Sequence, residues 1–219
     1  MPKKGRLITF EGIDGSGKTS AAVAATKFLA SQGIEVASSR QPGGTELGEK
    51  LREILKYQPA NGEMDGLGEV LLLCASFRAS CLKNITPALT DGKWVICDRY
   101  TDSTLAYQCG GRGVNRGLAE ALLRGCVPEI PDLTIYYDVD PQKGLSRVSL
   151  RNGGTPKKRD NFEAEGSSFQ EKVRKFYQEL AKEEPARIRT IETDKKSIEE
   201  TIEATIEIIR EHLKAFPQS

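Results

Sequence analysis

The chain has 219 residues, enough for one α/β domain with flaps but short for two full domains. Its 32 basic and 31 acidic residues leave a net charge of +1, so no global field draws it to nucleic acid or an anionic membrane, and phosphate chemistry must rest on local basic clusters. The N-terminus has no secretory apolar region, no run of 18 apolar residues appears, and Cys74, Cys81, Cys97, Cys109 and Cys126 form no C-x-x-C pair, which together predict a soluble cytoplasmic protein with reduced thiols.

Strand-like runs at 6–11, 35–39, 94–98, 133–138 and 187–192 alternate with helical patterns, a rhythm that predicts a parallel sheet. The helical stretches cover 19–31, 46–57, 65–84, 115–126, 141–151, 167–183 and 197–216. Gly33 reads as a stop signal for the first helix, Thr45 as an N-cap for the second, and Ser197 with Glu200 as a capping box for the last. In that last helix Ile198, Ile202, Ile206, Ile209 and Leu213 fall at helical spacing and read as the packing stripe.

The first strand runs straight into Gly12, Ile13, Asp14, Gly15, Ser16, Gly17, Lys18 and Thr19, the pattern G-x-x-x-x-G-K-[ST] of a nucleotide-binding P-loop. Glycines are needed because successive backbone N–H groups must turn inward around a phosphate, where side chains would block the approach. Lys18 adds a positive charge to those phosphates, Thr19 offers a hydroxyl to Mg²⁺, and the following helix N-terminus adds partial positive charge.

The buried run at 94–97 delivers Asp98 at the C-terminal edge of its strand, where parallel sheets place ligands. Asp98 there suits a magnesium-bound water beside Thr19, and Arg99 would face whatever binds above the sheet; a surface ion pair is the plainer alternative. Ser103, Thr104, Tyr107, Gln108, Gly110, Gly111 and Arg112 then supply donors, an aromatic face and a flexible turn suited to a polar ring and its phosphate, or else a capped helix with a glycine-rich end. Arg147, Arg151, Lys157, Lys158 and Arg159 share a stretch broken by Gly153, Gly154 and Pro156, which reads as a mobile basic lid or as a solvated loop. Arg151 and Arg159 are the preferred phosphate contacts, because guanidinium grips phosphate oxygens bidentately. His212, the only histidine, sits among charges in the last helix and reads as solvated, which excludes a Ser-His-Asp or histidine-metal centre.

Taken in order, FEGIDGSGKT, RQPGGT, CDRYTDSTLAYQCGGRG, PDLTIYYDVDP and KKRDNFE resemble the thymidylate kinase family, whose members phosphorylate dTMP with ATP, and the likeness spans nearly the whole chain. It implies one domain over 1–219 with the P-loop at 12–19 and a lid at about 147–163, in a P-loop NTPase three-layer α/β sandwich with a five-stranded parallel sheet, and usually a homodimer. It further implies ATP and Mg²⁺ at Lys18 and Thr19, the dTMP sugar near Asp14, the dTMP phosphate on Arg99 with Arg40 nearby, thymine near Ser103, Thr104 and Gln108, deoxyribose against Tyr107, and Glu163 near the metal or the sugar. Gly15 stands where one subgroup carries arginine, so the chain looks like the bacterial-type subgroup whose lid supplies that charge.

Three positions depart from the family pattern. Gln41 replaces the glutamate of R-E-P-G-G-T, Leu73 stands where a base-stacking phenylalanine is expected, and Phe77 where a base-reading arginine is expected. A one-residue register shift would bring Arg78 to the base together with Cys74, whereas the unshifted register leaves Phe77 to stack or the base selectivity relaxed. The leading expectation is ATP:dTMP phosphoryl transfer, and the alternative is a kinase of the same fold acting on other nucleoside monophosphates. A GTPase-like switch is disfavoured because no N-K-x-D motif is present.

Overall fold

The computed structural model describes residues 5–57, 63–151, 162 and 165–215. Five strands form one sheet in the order β2-β3-β1-β4-β5, with every pairing parallel: β1 (Leu7–Glu11), β2 (Val36–Arg40), β3 (Trp94–Asp98), β4 (Leu133–Asp138) and β5 (Ile188–Glu192). The connections are α1 (Lys18–Ser31), α2 (Glu46–Tyr57), α3 (Gly66–Ser80), α4 (Thr86–Thr90), α5 (Thr101–Thr104), α6 (Arg116–Cys126), α7 (Pro141–Arg151) and α8 (Gly166–Glu183), and α9 (Ile198–Ala215) closes the chain.

Alternation along the strands builds the three layers. Leu7, Val95, Cys97 and Tyr136 join one apolar cluster with Val70, Phe77, Ala119 and Val173 of α3, α6 and α8. Ile8, Phe10, Ile96, Ile135 and Tyr137 face the other way, onto Ala21, Ala25 and Leu29 of α1 and Ile209 of α9. Because both faces are covered, the central strands β1 and β4 are buried at every position rather than alternately exposed, as parallel sheets require.

The local signals at the helix ends act as read. The Thr45 hydroxyl accepts from Gly48 N–H at 3.0 Å, and Gly33 ends α1 with φ 77°. Ser197 and Glu200 form the reciprocal capping box, with Ser197 N–H donating to Glu200 Oε2 at 2.7 Å and Glu200 N–H to Ser197 Oγ at 3.1 Å.

Three expectations need correction. The helix expected over 65–84 is α-helical only to Ser80 and continues as a π-turn over Cys81–Ile85. The buried face of α9 is Thr201, Thr205 and Ile209, while Ile198 is exposed and Ile202 and Ile206 are half-buried. Short threonines suit a close approach to the alanine-rich α1, and the Thr205 hydroxyl meets the Tyr137 hydroxyl at 2.9 Å, a partner that hydrophobic spacing does not reveal. His212 is half-buried edge-on to Trp94, 6.0 Å between ring centroids, and burial lowers its pKa.

Candidate active site

The parallel register sets Phe10 of β1 opposite Asp98 of β3, so the P-loop and the segment after β3 leave the sheet side by side at its C-terminal edge. Gly12, Gly15 and Gly17 of the loop all have positive φ (139°, 80° and 94°). A Cβ on Gly12 would stand 2.5 Å from the Tyr137 carbonyl oxygen, and one on Gly15 would stand 2.2 Å from that of Gly144 in α7. The absence of a side chain at Gly15 therefore has a packing cause, since the first turns of α7 lie directly against it. Arg147 of α7 donates to the Gly15 carbonyl at 3.4 Å and to that of Thr193 at 2.8 Å.

Thr19 Oγ1 donates to Asp98 Oδ2 at 2.7 Å, joining the start of α1 to the end of β3. Lys18 is buried, with Nζ 3.2 Å from Asp14 Oδ1 and 3.4 Å from the Ile13 carbonyl. Burial lowers the Lys18 pKa, Arg99 adding to that effect while Asp14 and Asp98 oppose it. For Asp14 burial acts to raise the pKa, but the charges of Lys18 and Arg99 outweigh it and hold the carboxyl well below the ordinary carboxylate range.

Arg99 is the hub. Nη2 donates to Asp14 Oδ1 at 2.8 Å and to the Tyr107 hydroxyl at 3.2 Å, and Nη1 donates to the Gly12 carbonyl at 3.0 Å and to Ser103 Oγ at 3.3 Å. Its guanidinium also lies 5.0 Å from the Tyr107 ring centroid. The backbone beneath it is in the left-handed region, φ 67°, a cost for a residue with a side chain of about 1 kcal/mol or more.

Two cavities meet at Asp14, Gln41, Arg52, Lys56 and Arg99, which line both. One, about 330 Å³, is bounded by Gly15, Gly17, Lys18 and Thr19 of the P-loop region and by Asp98, Arg40, Arg52 and Lys56. The other, about 100 Å³, is bounded by Gln41, Leu73, Phe77, Tyr100, Ser103, Thr104, Tyr107, Gln108 and Phe162. Arg40, the last residue of β2, is exposed and paired with Glu49 at 2.8 Å. Phe77 packs edge-on against Tyr100, with centroids 5.3 Å apart.

Arg78 is not brought to this site. It is exposed and lines a separate cavity with Cys81, Leu82 and Thr86, so the shifted register is discarded and Leu73 and Phe77 form the apolar wall. Arg159, Glu163 and most of the expected lid lie outside the described residues, and Arg151 is described only as the last residue of α7. Among the described residues no group of three or more His, Cys, Asp or Glu side chains is arranged to hold a metal. Thr19 and Asp98 nonetheless fit Mg²⁺, which takes hard oxygen donors and keeps several waters and substrate phosphates rather than a protein cage.

Sequence reasoning missed Glu11, Tyr177, Glu69, Arg52, Lys56 and Phe162. Glu11 is fully buried, accepting from Tyr100 N–H at 2.6 Å and from Tyr177 Oη at 2.9 Å, with Ser103 Oγ on the same carboxylate. Its signal was present, an acidic residue closing a buried strand, the feature that singled out Asp98. Glu69 accepts from Gln108 Nε2 at 2.9 Å and pairs with Arg112 at 3.2 Å. Tyr177 and Phe162 reach the site from distant sequence with no local mark.

The segments that meet here match known proteins along nearly their whole length. A thymidylate kinase family model matches residues 10–205. The chain belongs to the thymidylate kinase family. It is 40% identical over 209 residues to the thymidylate kinase of Methylobacillus flagellatus, covering 95% of this chain and 98% of that one, and 42% identical over 194 residues to that of Magnetococcus marinus, covering 87% and 89%. The crystal structure of thymidylate kinase from Ehrlichia chaffeensis superposes with a TM-score of 0.74 at 33% identity, covering 94% of this chain and 99% of that chain.

Glu11 provides a test independent of turnover. Burial, with the Asp102 charge adding to it, pushes its pKa from 4.5 up to about 7. A carboxyl raised in the folded state stabilises most below its unfolded pKa, and that contribution is lost as pH rises through the folded value. The stability of wild type relative to Glu11→Gln should therefore decline between pH 4.5 and pH 7, read from denaturant melts across that range. A difference independent of pH would show that Glu11 does not titrate in this window.

Proposed function

We propose that this chain transfers the γ-phosphoryl group of ATP to dTMP, giving dTDP and ADP. The observation that carries the reading is the shared wall: Asp14 and Arg99 border both the P-loop cavity and the cavity lined by the 99–108 segment, so a donor and an acceptor nucleotide would meet there. A phosphate monoester has a second pKa near 6, so the dTMP phosphate is already an anionic nucleophile at neutral pH and no general base is required.

What remains for the protein is alignment and charge neutralisation. Lys18 and the P-loop N–H groups hold the donor phosphates, and Arg99 grips the acceptor phosphate, with Arg40 beside it. Arg99 already holds Asp14, Tyr107, Ser103 and the Gly12 carbonyl, so its fork is oriented before substrate arrives and little is lost in ordering it. Asp14 and Tyr107 take the sugar, and Ser103, Thr104, Gln108, Leu73 and Phe77 surround the base. Arg151 and Arg159 are assigned to the transferring group from the sequence alone, as guanidinium groups suited to phosphate oxygens. Thr19 and Asp98, with Glu163 assigned to the metal by resemblance, would hold Mg²⁺, which when bound neutralises charge on the donor oxygens.

A kinase with relaxed base preference is the second reading, favoured by Leu73 and Phe77 at the family's phenylalanine and arginine positions. Comparing dTMP, dUMP, dCMP, dGMP and UMP in a coupled assay decides between them, since equal or better use of a non-thymine nucleotide overturns the first. Lys18→Ala should lower turnover by about 10³-fold or more with the fold retained by circular dichroism. Near-wild-type activity in that variant would sink the donor-site assignment.

We also propose a homodimer. Leu47 and Ile54 of α2 and Leu71 of α3, helices packed on one another, are each about half exposed (52%, 47% and 52%), an apolar surface suited to a second copy. Light scattering should give twice the chain mass of 24.0 kDa at micromolar concentration, and a monomer mass would contradict the dimer.

A further inference from the structure

Two side-chain amides line the smaller cavity, and each has one end tied to protein and the other end without a partner among the described residues. Gln108 is 1% exposed and Gln41 2%. The unpartnered atoms are opposite in character, the Oε1 acceptor of Gln108 and the Nε2 donor of Gln41. Buried polar atoms are rarely left unpaired without a ligand or water to meet them.

The protein fixes the orientation of both amides. Gln108 Nε2 donates to the buried Glu69 carboxylate at 2.9 Å; a carboxylate takes only donors, so Oε1 is the end left over. Ser76 Oγ accepts from Gly43 N–H at 3.2 Å, which leaves its own proton for Gln41 Oε1 at 3.2 Å and turns Gln41 Nε2 outward from that bond. Both chains of polarity end on fixed groups, a carboxylate and a backbone N–H. Gln108 cannot reverse without breaking its anchor, and reversing Gln41 would leave the proton of the buried Ser76 hydroxyl without this acceptor.

We propose that Gln41 is a specificity-determining residue for the nucleobase, donating through Nε2 to a ring carbonyl while Gln108 Oε1 accepts the adjacent ring N–H. The matching ligand edge is an imide, with C=O beside N–H, as in thymine and uracil. Cytosine presents an amino group beside an unprotonated ring nitrogen, the reverse polarity, and would set donor against donor and acceptor against acceptor. A site built on hydrogen bonds rejects such a ligand strongly because its buried groups stay unpaired. The same arrangement accounts for two departures together. With Phe77 in place of a cation, the cavity loses a cationic donor at that position, and a glutamine at position 41 supplies a neutral donor where a glutamate carboxylate could only accept.

The inference rests on the nucleoside monophosphate kinase reading above, and the tests separate the two. Wild type, Gln41→Met and Gln41→Glu are compared for kcat/KM with dTMP, dUMP, dCMP and 4-thio-dTMP, whose sulfur is a weak acceptor where the carbonyl stood. Thermal melts check that each variant folds. Wild type should use 4-thio-dTMP about tenfold less well than dTMP, and Gln41→Met should lose that difference. Both variants should lower the dTMP-to-dCMP preference by about 10- to 100-fold. Were a variant unfolded, the 4-thio-dTMP comparison on wild type alone would still decide. A wild-type enzyme indifferent to the sulfur, or folded variants that keep the dTMP-to-dCMP ratio within threefold, would overturn the role of Gln41. A wild type that prefers a non-thymine nucleotide would instead overturn the substrate reading itself.

Discussion

The site depends on holding Arg99 in a backbone conformation that a side-chain-bearing residue ordinarily avoids. At φ 67° the residue redirects the chain as it leaves β3, so that the guanidinium reaches back across β1 to the P-loop. The cost is offset by hydrogen bonds on either side of it: Arg99 N–H to the Phe10 carbonyl at 2.9 Å, and Tyr100 N–H to Glu11 Oε1 at 2.6 Å. Glu11 is buried to make that second bond, and Ser103 and Tyr177 donate to its other oxygen, so the strained turn, the segment that follows it and α8 share one carboxylate. The Asp14 to Arg99 ion pair then joins the P-loop to the segment after β3.

This arrangement also explains why the pocket residues occupy so many elements. The P-loop follows β1, Asp98 ends β3 and Arg99 follows it, Arg40 ends β2 and Gln41 follows it, and Leu73 and Phe77 come from α3. A parallel sheet gathers the carboxyl ends of its strands on one edge, and β1 lies between β3 and β4, where the connections diverge to opposite faces. The smaller cavity is completed by a π-helical stretch, Leu105–Gly111, whose wider turn carries Tyr107 and Gln108.

Much of this was legible in the sequence wherever a residue's role follows from its neighbours along the chain. The five strands, the P-loop glycines, the Thr19 to Asp98 approach and the caps at Thr45 and Ser197 are of that kind. Roles that depend on distant partners were not. Periodicity could not separate Ile202 and Ile206 from Thr201 and Thr205, because the buried threonines owe their place to Tyr137 and to α1. His212 reads as one more polar residue on a charged helix until Trp94 is set beside it. At Gln41 the sequence shows a lost charge, and only the geometry shows what replaced it, an amide whose orientation is set by Ser76 and Gly43.

The central claim is that Arg99 serves the acceptor while Lys18 and the P-loop N–H groups hold the donor, although the two touch through Asp14. Calorimetric titration of Arg99→Ala with dTMP and, separately, with Mg·ATP tests it most directly. The account predicts that dTMP affinity falls by about 100-fold or more while ATP affinity stays within about threefold. Retained dTMP binding, or an equal loss of both nucleotides, would contradict it.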